Sequence, residues 1–198
     1  LPAMLMNLNV EKLRGNLLKA GNKKILKSSS ISLSKILLNK KFTNLVLINY
    51  SPELEKFLYW YQQLIAESLG KNGKGFLPII SNAPKDHHSL LQLYLDGPKD
   101  KIFHVFSFDE SANYKIKIKK LSHKADYLNN KTLTEIKNAQ KNALIKTLKL
   151  NKIPFRETKI KNNNEQTLGE LFTYFMLETI IVGELTGIDP FTCLLYTS

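Results

Sequence analysis

A carboxylate and an imidazole stand in two neighbouring segments of the chain and could transfer protons. Residues 61–71 read YQQLIAESLGK and contain Gln63 and Glu67, and residues 83–94 read APKDHHSLLQLY and contain His88. The four-residue spacing of Gln63 and Glu67 places them on one face of a helix. A carboxylate can abstract a proton beside a carbonyl, particularly where a partly dry pocket raises its pKa. The residue types in these segments are therefore compatible with acid–base chemistry.

Each residue taken alone has a plainer interpretation. An isolated Glu is more often an exposed helix carboxylate, and a His at a helix start is more often a hydrogen-bonding residue. The remaining histidines are interpreted as structural or surface residues: His87, His104 and His123. No spacing predicts a metal site. The segment GKNGKG at 70–75 has neither Walker nor Rossmann spacing, so it does not predict a phosphate loop.

The elements that must position these residues alternate along the chain. Dense apolar runs typical of strands covered on both faces occupy 42–49, 75–81 and 101–108, and a further strand is predicted at 155–161. Helical spacing marks 1–20, 28–38, 51–70, 86–95, 132–150 and 167–185, and YKIKIK at 114–119 favours an edge strand. Ser51 and Asp86 are expected to cap helices, and 172–182 reads as a buried helix. We therefore predict an α/β fold, a three-layer αβα sandwich with a mainly parallel sheet.

This topology does not bring Glu67 and His88 together. His88 follows a strand at its carboxyl end, where open parallel sheets collect ligands. Glu67 lies at the far end of the preceding helix, at the opposite edge of the sheet. Within one chain the two side chains are therefore expected to be apart.

Composition excludes several function classes. The chain has 198 residues and a net charge of +12, but its only arginines are Arg14 and Arg156 and its lysines are dispersed, which argues against nucleic acid. No apolar run reaches the roughly 18 residues that cross a bilayer. Cys193 is the only cysteine, so no internal disulfide forms and a reducing, cytoplasmic location is the expectation.

A third segment, GELTGIDPF at 183–191, completes a resemblance. QQLIAESLGK, DHHSLLQLYLDGP and GELTGIDPF resemble, in order and rough spacing, three segments of the glucose-6-phosphate isomerase family. The resemblance runs from about residue 1 to 191 and implies the C-terminal sugar-isomerase domain, incomplete at both ends.

The resemblance also implies a mechanism. Such enzymes interconvert glucose 6-phosphate and fructose 6-phosphate through a cis-enediolate, with no cofactor or metal. By carry-over, Glu67 is the base that shuttles the proton, His88 assists ring opening and Gln63 lies near the substrate phosphate. In the family this His enters the neighbouring subunit's active site, so a homodimer is implied.

The chain departs from the family at both ends. Residues 192–198, TCLLYTS, replace the expected Asp-Gln and a downstream catalytic Lys, and are interpreted as a non-native read-through tail. Leu1 reads as a fragment boundary, and the domain that supplies the phosphate loop and an Arg is missing. We expect the full-length parent to isomerise and the fragment to be inactive alone. The alternative is a non-catalytic sugar-phosphate-binding regulatory domain of the same fold, which has no need of the Glu67 and His88 pair.

Overall fold

A computed structural model describes residues 2–14, 23–109, 115–116 and 127–192 of the chain. The helices are α1 (Pro2–Leu5), α2 (Val10–Arg14), α3 (Lys23–Asn39), α4 (Glu55–Leu69), α5 (Lys85–Asp96), α6 (Leu133–Leu150) and α7 (Glu165–Thr186). The strands are β1 (Asn44–Asn49), β2 (Leu77–Asn82), β3 (Lys101–Phe108) and β4 (Phe155–Ile160). A 3₁₀ turn, Pro52–Leu54, leads into α4.

The four strands form one sheet in the order β2-β1-β3-β4, and every pair is parallel. β1 is central, with Val46 opposite Ile79 of β2 and Phe103 of β3. The chain crosses from β1 to β2 in one direction and from β2 to β3 in the other, so the topological switch point lies between β1 and β3. The predicted α/β fold with a parallel sheet is confirmed.

Side chains that alternate along the strands build two cores, one on each face of the sheet. Leu45 and Leu47 of β1 point to the face covered by α3, α4 and α7. Val46 and Ile48 point to the face covered by α5 and α6. Because successive strand residues face opposite sides, a strand covered on both faces must be apolar throughout. This explains the dense run at 45–48 and confirms the three layers.

Ser51 occupies the expected cap position but does not cap through its side chain, and the cap expected at Asp86 is wrong. The Ser51 side chain makes no cap bond, and its buried Oγ accepts a hydrogen bond from the Phe108 N–H at 2.9 Å. Asp86 lies in the first turn of α5, where its Oδ2 accepts from the Asn82 N–H at 2.7 Å. The Ser51 side chain therefore joins the loop after β1 to the end of β3, and the Asp86 side chain joins the start of α5 to the end of β2.

The prediction of one continuous helix over residues 1–20 is also wrong. α1 ends at Leu5, and Asn7 adopts a left-handed backbone with φ of 55° before α2 begins at Val10. Part of the prediction for 1–20 and most of the strand predicted at 114–119 lie outside the described residues. Lys115, which lies in the strand predicted at 114–119, forms an isolated antiparallel bridge with Thr132.

α7 is buried on one side only, so the buried helix predicted at 172–182 is buried on one face and exposed on the other. Phe175, Glu178 and Val182 face the core, whereas Met176 and Ile180 are more than a third exposed. α7 packs against α2, α3 and α4. Among the described residues, no helix combines the length and the apolar character needed to span a bilayer.

Candidate active site

α4 presents Glu67 on its solvent face. The helix buries Phe57, Tyr61 and Ile65 on its other face, at the spacing that defines an amphipathic helix. Gln63 and Glu67 are both exposed, and the Gln63 Nε2 donates a hydrogen bond to the Glu67 Oε1 at 2.9 Å. The predicted shared face is therefore confirmed. The bond orients the carboxylate in the last turn of the helix.

His88 lies at the opposite edge of the sheet. It is exposed in the first turn of α5, which follows the carboxyl end of β2. Glu67 precedes the amino end of the same strand. β2 has 6 residues, and at about 3.3 Å per residue it separates the two edges by about 20 Å. One chain therefore does not bring Glu67 and His88 into one site, as the topology predicted.

The residue before His88 anchors this helix start. The His87 Nε2 lies 3.0 Å from the hydroxyl of Tyr50, and the two rings meet edge to face. Tyr50 is fully buried at the end of β1. Burial, and then the nearby charge of His88, lower the pKa of His87. His87 is thus a structural residue that fixes the turn from which His88 projects.

The third motif segment meets the first. Lys74 Nζ donates to the Thr186 carbonyl at 2.7 Å, and Lys71 Nζ donates to the Asp189 carbonyl at 2.8 Å. The end of α4, with Glu67, and the end of α7 therefore lie together at the amino edge of the sheet. Two of the three motif segments share one edge, and the segment that carries His88 lies at the other.

A cavity of about 350 Å³ opens at the carboxyl edge. Glu53 follows β1, Phe108 ends β3, and Asn162 and Glu165 follow β4, and all of them line it. Among the lining residues that the structure describes there are carboxylates and amides and no lysine or arginine. Glu53 and Glu165 would oppose a phosphate group in this cavity, which does not include Gln63, Glu67 or His88.

Sequence reasoning missed a buried ionic network around Arg156. The guanidinium pairs with both carboxylate oxygens of Glu178, at 2.6 and 2.9 Å. It also donates to Nδ1 of His104 at 3.0 Å and to the hydroxyl of Tyr61 at 2.7 Å. The signal was present, because Glu178 interrupts an apolar helix and a buried carboxylate needs a cation. The network joins β3, β4, α4 and α7 and is structural.

The burial of His104 in this network predicts how the free energy of unfolding depends on pH. Burial, and then the charge of Arg156, hold the pKa of His104 well below 6.5. The unfolded chain therefore binds one more proton than the folded chain below pH 6.5. The free energy of unfolding should fall as the pH drops from 6.5 towards the folded-state pKa, by up to about 1.4 kcal/mol per pH unit.

Urea unfolding between pH 7.5 and 5.5 measures this slope. In His104→Gln, whose side-chain oxygen can still accept from Arg156, the dependence should be shallower. An equal slope in the parent and the variant would contradict the assignment.

No group of three or more His, Cys, Asp or Glu side chains is placed to hold a metal ion within the described part of the chain. Chemistry without metal or cofactor stays a prediction.

Known proteins resemble this chain over most of its length. No family model matches it. The glucose-6-phosphate isomerase of Methanocaldococcus jannaschii is 36% identical over 152 residues, which cover 74% of this chain. That of Mycoplasmopsis synoviae is 35% identical over 156 residues, or 77% of the chain. Over these residues the chain belongs to the glucose-6-phosphate isomerase family. It spans 36% of the length of each of these two relatives.

Solved structures agree with this membership at the level of the fold. A glucose-6-phosphate isomerase from Chlamydia trachomatis superposes with a TM-score of 0.57 at 18% identity, over 77% of this chain and 32% of that one. A hypothetical protein from Thermus thermophilus gives a TM-score of 0.78 at 25% identity, over 94% of this chain and 48% of that one. The family fold is therefore present here.

Proposed function

We propose that residues 1–191 are the C-terminal sugar-isomerase domain of a longer aldose–ketose isomerase that interconverts glucose 6-phosphate and fructose 6-phosphate. The observation that carries the proposal is the Gln63–Glu67 pair, hydrogen-bonded at 2.9 Å on an open helix end. It lies in a segment of the expected family pattern, next to the end of a second such segment. Residues 192–198 are a non-native tail in this proposal.

Glu67 is the proton carrier. Its carboxylate takes a proton from C2 of the aldose, or C1 of the ketose, and returns it to the neighbouring carbon through a cis-enediolate. Gln63 holds one carboxylate oxygen, so the base keeps a fixed direction. Glu67 is exposed in this chain, so the pocket that excludes water must be completed by other parts of the protein. A phosphate-gripping loop and an Arg from a preceding domain fill that role, together with a Lys from the continuation beyond Phe191.

His88 assists ring opening in the site of a second copy. Within one chain it lies at the opposite sheet edge from Glu67, and its exposed position at the start of α5 leaves it accessible to another subunit. A homodimer with two-fold symmetry then forms two equal sites, each with Glu67 from one protomer and His88 from the other. The protein acts without cofactor in the cytoplasm.

Subunit complementation tests the activity and the shared site together. The full-length protein should convert fructose 6-phosphate to glucose 6-phosphate, and Glu67→Gln and His88→Gln should each lose turnover. When the two variants are mixed and allowed to form heterodimers, one site per heterodimer regains both wild-type residues. Random mixing should then restore about a quarter of the parental activity.

Two outcomes oppose the proposal in different ways. A mixture that equals the mean of the two variants would show that Glu67 and His88 do not act across a dimer. A full-length parent without isomerase activity would remove the proposed function itself.

A further inference from the structure

The GKNGKG loop at 70–75 has a role that its sequence did not reveal. Its two lysines are half-buried directly after α4. Backbone angles in the left-handed region at Asn72, Gly73 and Gly75 curl the loop back on the helix end. A Cβ at Gly75 would lie 2.8 Å from the Leu69 carbonyl oxygen, so only glycine permits this approach. The backbone that carries Lys71 and Lys74 is therefore held in one conformation.

Both ammonium groups bind backbone carbonyls of the segment that follows α7. Lys74 Nζ donates to the Thr186 carbonyl at 2.7 Å, where a cation also stabilises the negative end of the helix dipole. Lys71 Nζ donates to the Asp189 carbonyl at 2.8 Å and to the Thr192 carbonyl. Most of the donor capacity of Lys71 is thus used within the protein, which leaves it poorly suited to bind a substrate phosphate.

The segment after α7 is also held by backbone contacts that do not involve the two lysines. Gly187 is left-handed with φ of 66°, the Ile188 N–H returns to the Gly183 carbonyl at 2.8 Å, and Ile188 is buried. This is the hydrogen-bond pattern that ends a helix and reverses the chain. A Cβ on Gly183 would lie 2.8 Å from the Ile188 carbonyl oxygen, so the segment lies directly on α7. Residues 187–191 therefore continue from a fixed turn at the end of α7.

We infer that Lys71 is a positioning residue, which locks residues 187–191 against the end of α4 beside Glu67. Lys71 is four residues from Glu67 and contacts the chain at Asp189, so it sets where the polypeptide runs as it leaves α7. The inference rests on the proposed function, in which further site residues follow this segment. A misplacement of about 1 Å in such groups can lower turnover by up to 10²-fold.

The test uses the full-length protein with Lys71→Met, which keeps the aliphatic stem and removes the ammonium. We expect kcat to fall about tenfold with little change in KM for fructose 6-phosphate, because groups that act in the transition state are displaced. Amide hydrogen exchange at residues 187–191 should become faster, while exchange in β1 and β3 should not change. Lys71→Arg should restore both readouts, and the exposed Lys35→Met of α3 should behave as the parent.

The possible outcomes separate the two claims. Faster exchange at 187–191 with unchanged kcat would overturn the positioning role, as would unchanged exchange. A higher KM with unchanged kcat would make Lys71 a substrate ligand and would also overturn it. If the parent lacks isomerase activity the proposed function fails, and the exchange measurement still decides whether Lys71 holds the segment.

Discussion

Replacing Glu67 by Gln in the full-length protein is expected to lower kcat by about 10²- to 10⁴-fold, the range that one general acid–base group contributes. The amide has the shape of the carboxylate, and its oxygen can still accept from the Gln63 Nε2, so the helix end should be preserved. It cannot take up the substrate proton. KM should change little, because the group acts in the transition state.

Turnover of fructose 6-phosphate under saturating conditions measures this effect. The matched control is Glu11→Gln, which removes the same charge from an exposed position on α2 and should leave kcat unchanged. Circular dichroism should show the same fold for both variants. Near-parental turnover in Glu67→Gln would mean that another group carries the proton.

The second large effect concerns stability. Glu178→Ala should reduce the free energy of unfolding by about 3 kcal/mol, the low end for a broken buried ion pair, because it leaves a guanidinium that is 27% exposed without its anion. Glu178 is only 1% exposed and holds Arg156 by two hydrogen bonds. The same Arg side chain orients His104 and Tyr61, so the loss spreads to three other elements.

Chemical denaturation compares this variant with two others. Glu184→Ala removes an exposed carboxylate from the same helix and should change the free energy of unfolding by no more than about 0.5 kcal/mol. The double variant Arg156→Met with Glu178→Leu should recover most of the loss, because apolar replacement of a buried ion pair is often neutral. A loss below about 1 kcal/mol in Glu178→Ala would contradict the structural role of the network.

Much of the architecture was readable from local patterns. β3 runs over Lys101–Phe108 as predicted, and α6 begins at Leu133 after a capping box formed by Thr132 and Glu135. A strand buried on both faces must be apolar throughout, and a helix buried on one face must have apolar residues at helical spacing. Both patterns can therefore be recognised in the sequence. The Gln63–Glu67 contact was equally readable, because it lies within one helix.

Other features needed the tertiary structure. Ser51 has the type and position of a cap, yet it serves Phe108, 57 residues away. Arg156 and His104 are 52 residues apart, and Lys71 reaches Asp189 across 118 residues. Each of these side chains could form a hydrogen bond with a residue nearby in the chain or with a distant one. The distant partner is available only after the elements have packed together, so the local sequence pattern does not reveal which partner is used.

The sequence by itself determined the order of strands and helices, the two-sided burial of the sheet and the pairing of Gln63 with Glu67, because each depends on residues within a few turns of one another. The tertiary structure alone decided which charges are buried together and that the loop at 70–75 holds the end of α7. It also showed that one face of α7 stays open. These depend on contacts between elements far apart in the chain, whose geometry is set by the packing of the whole sheet and its two helical layers.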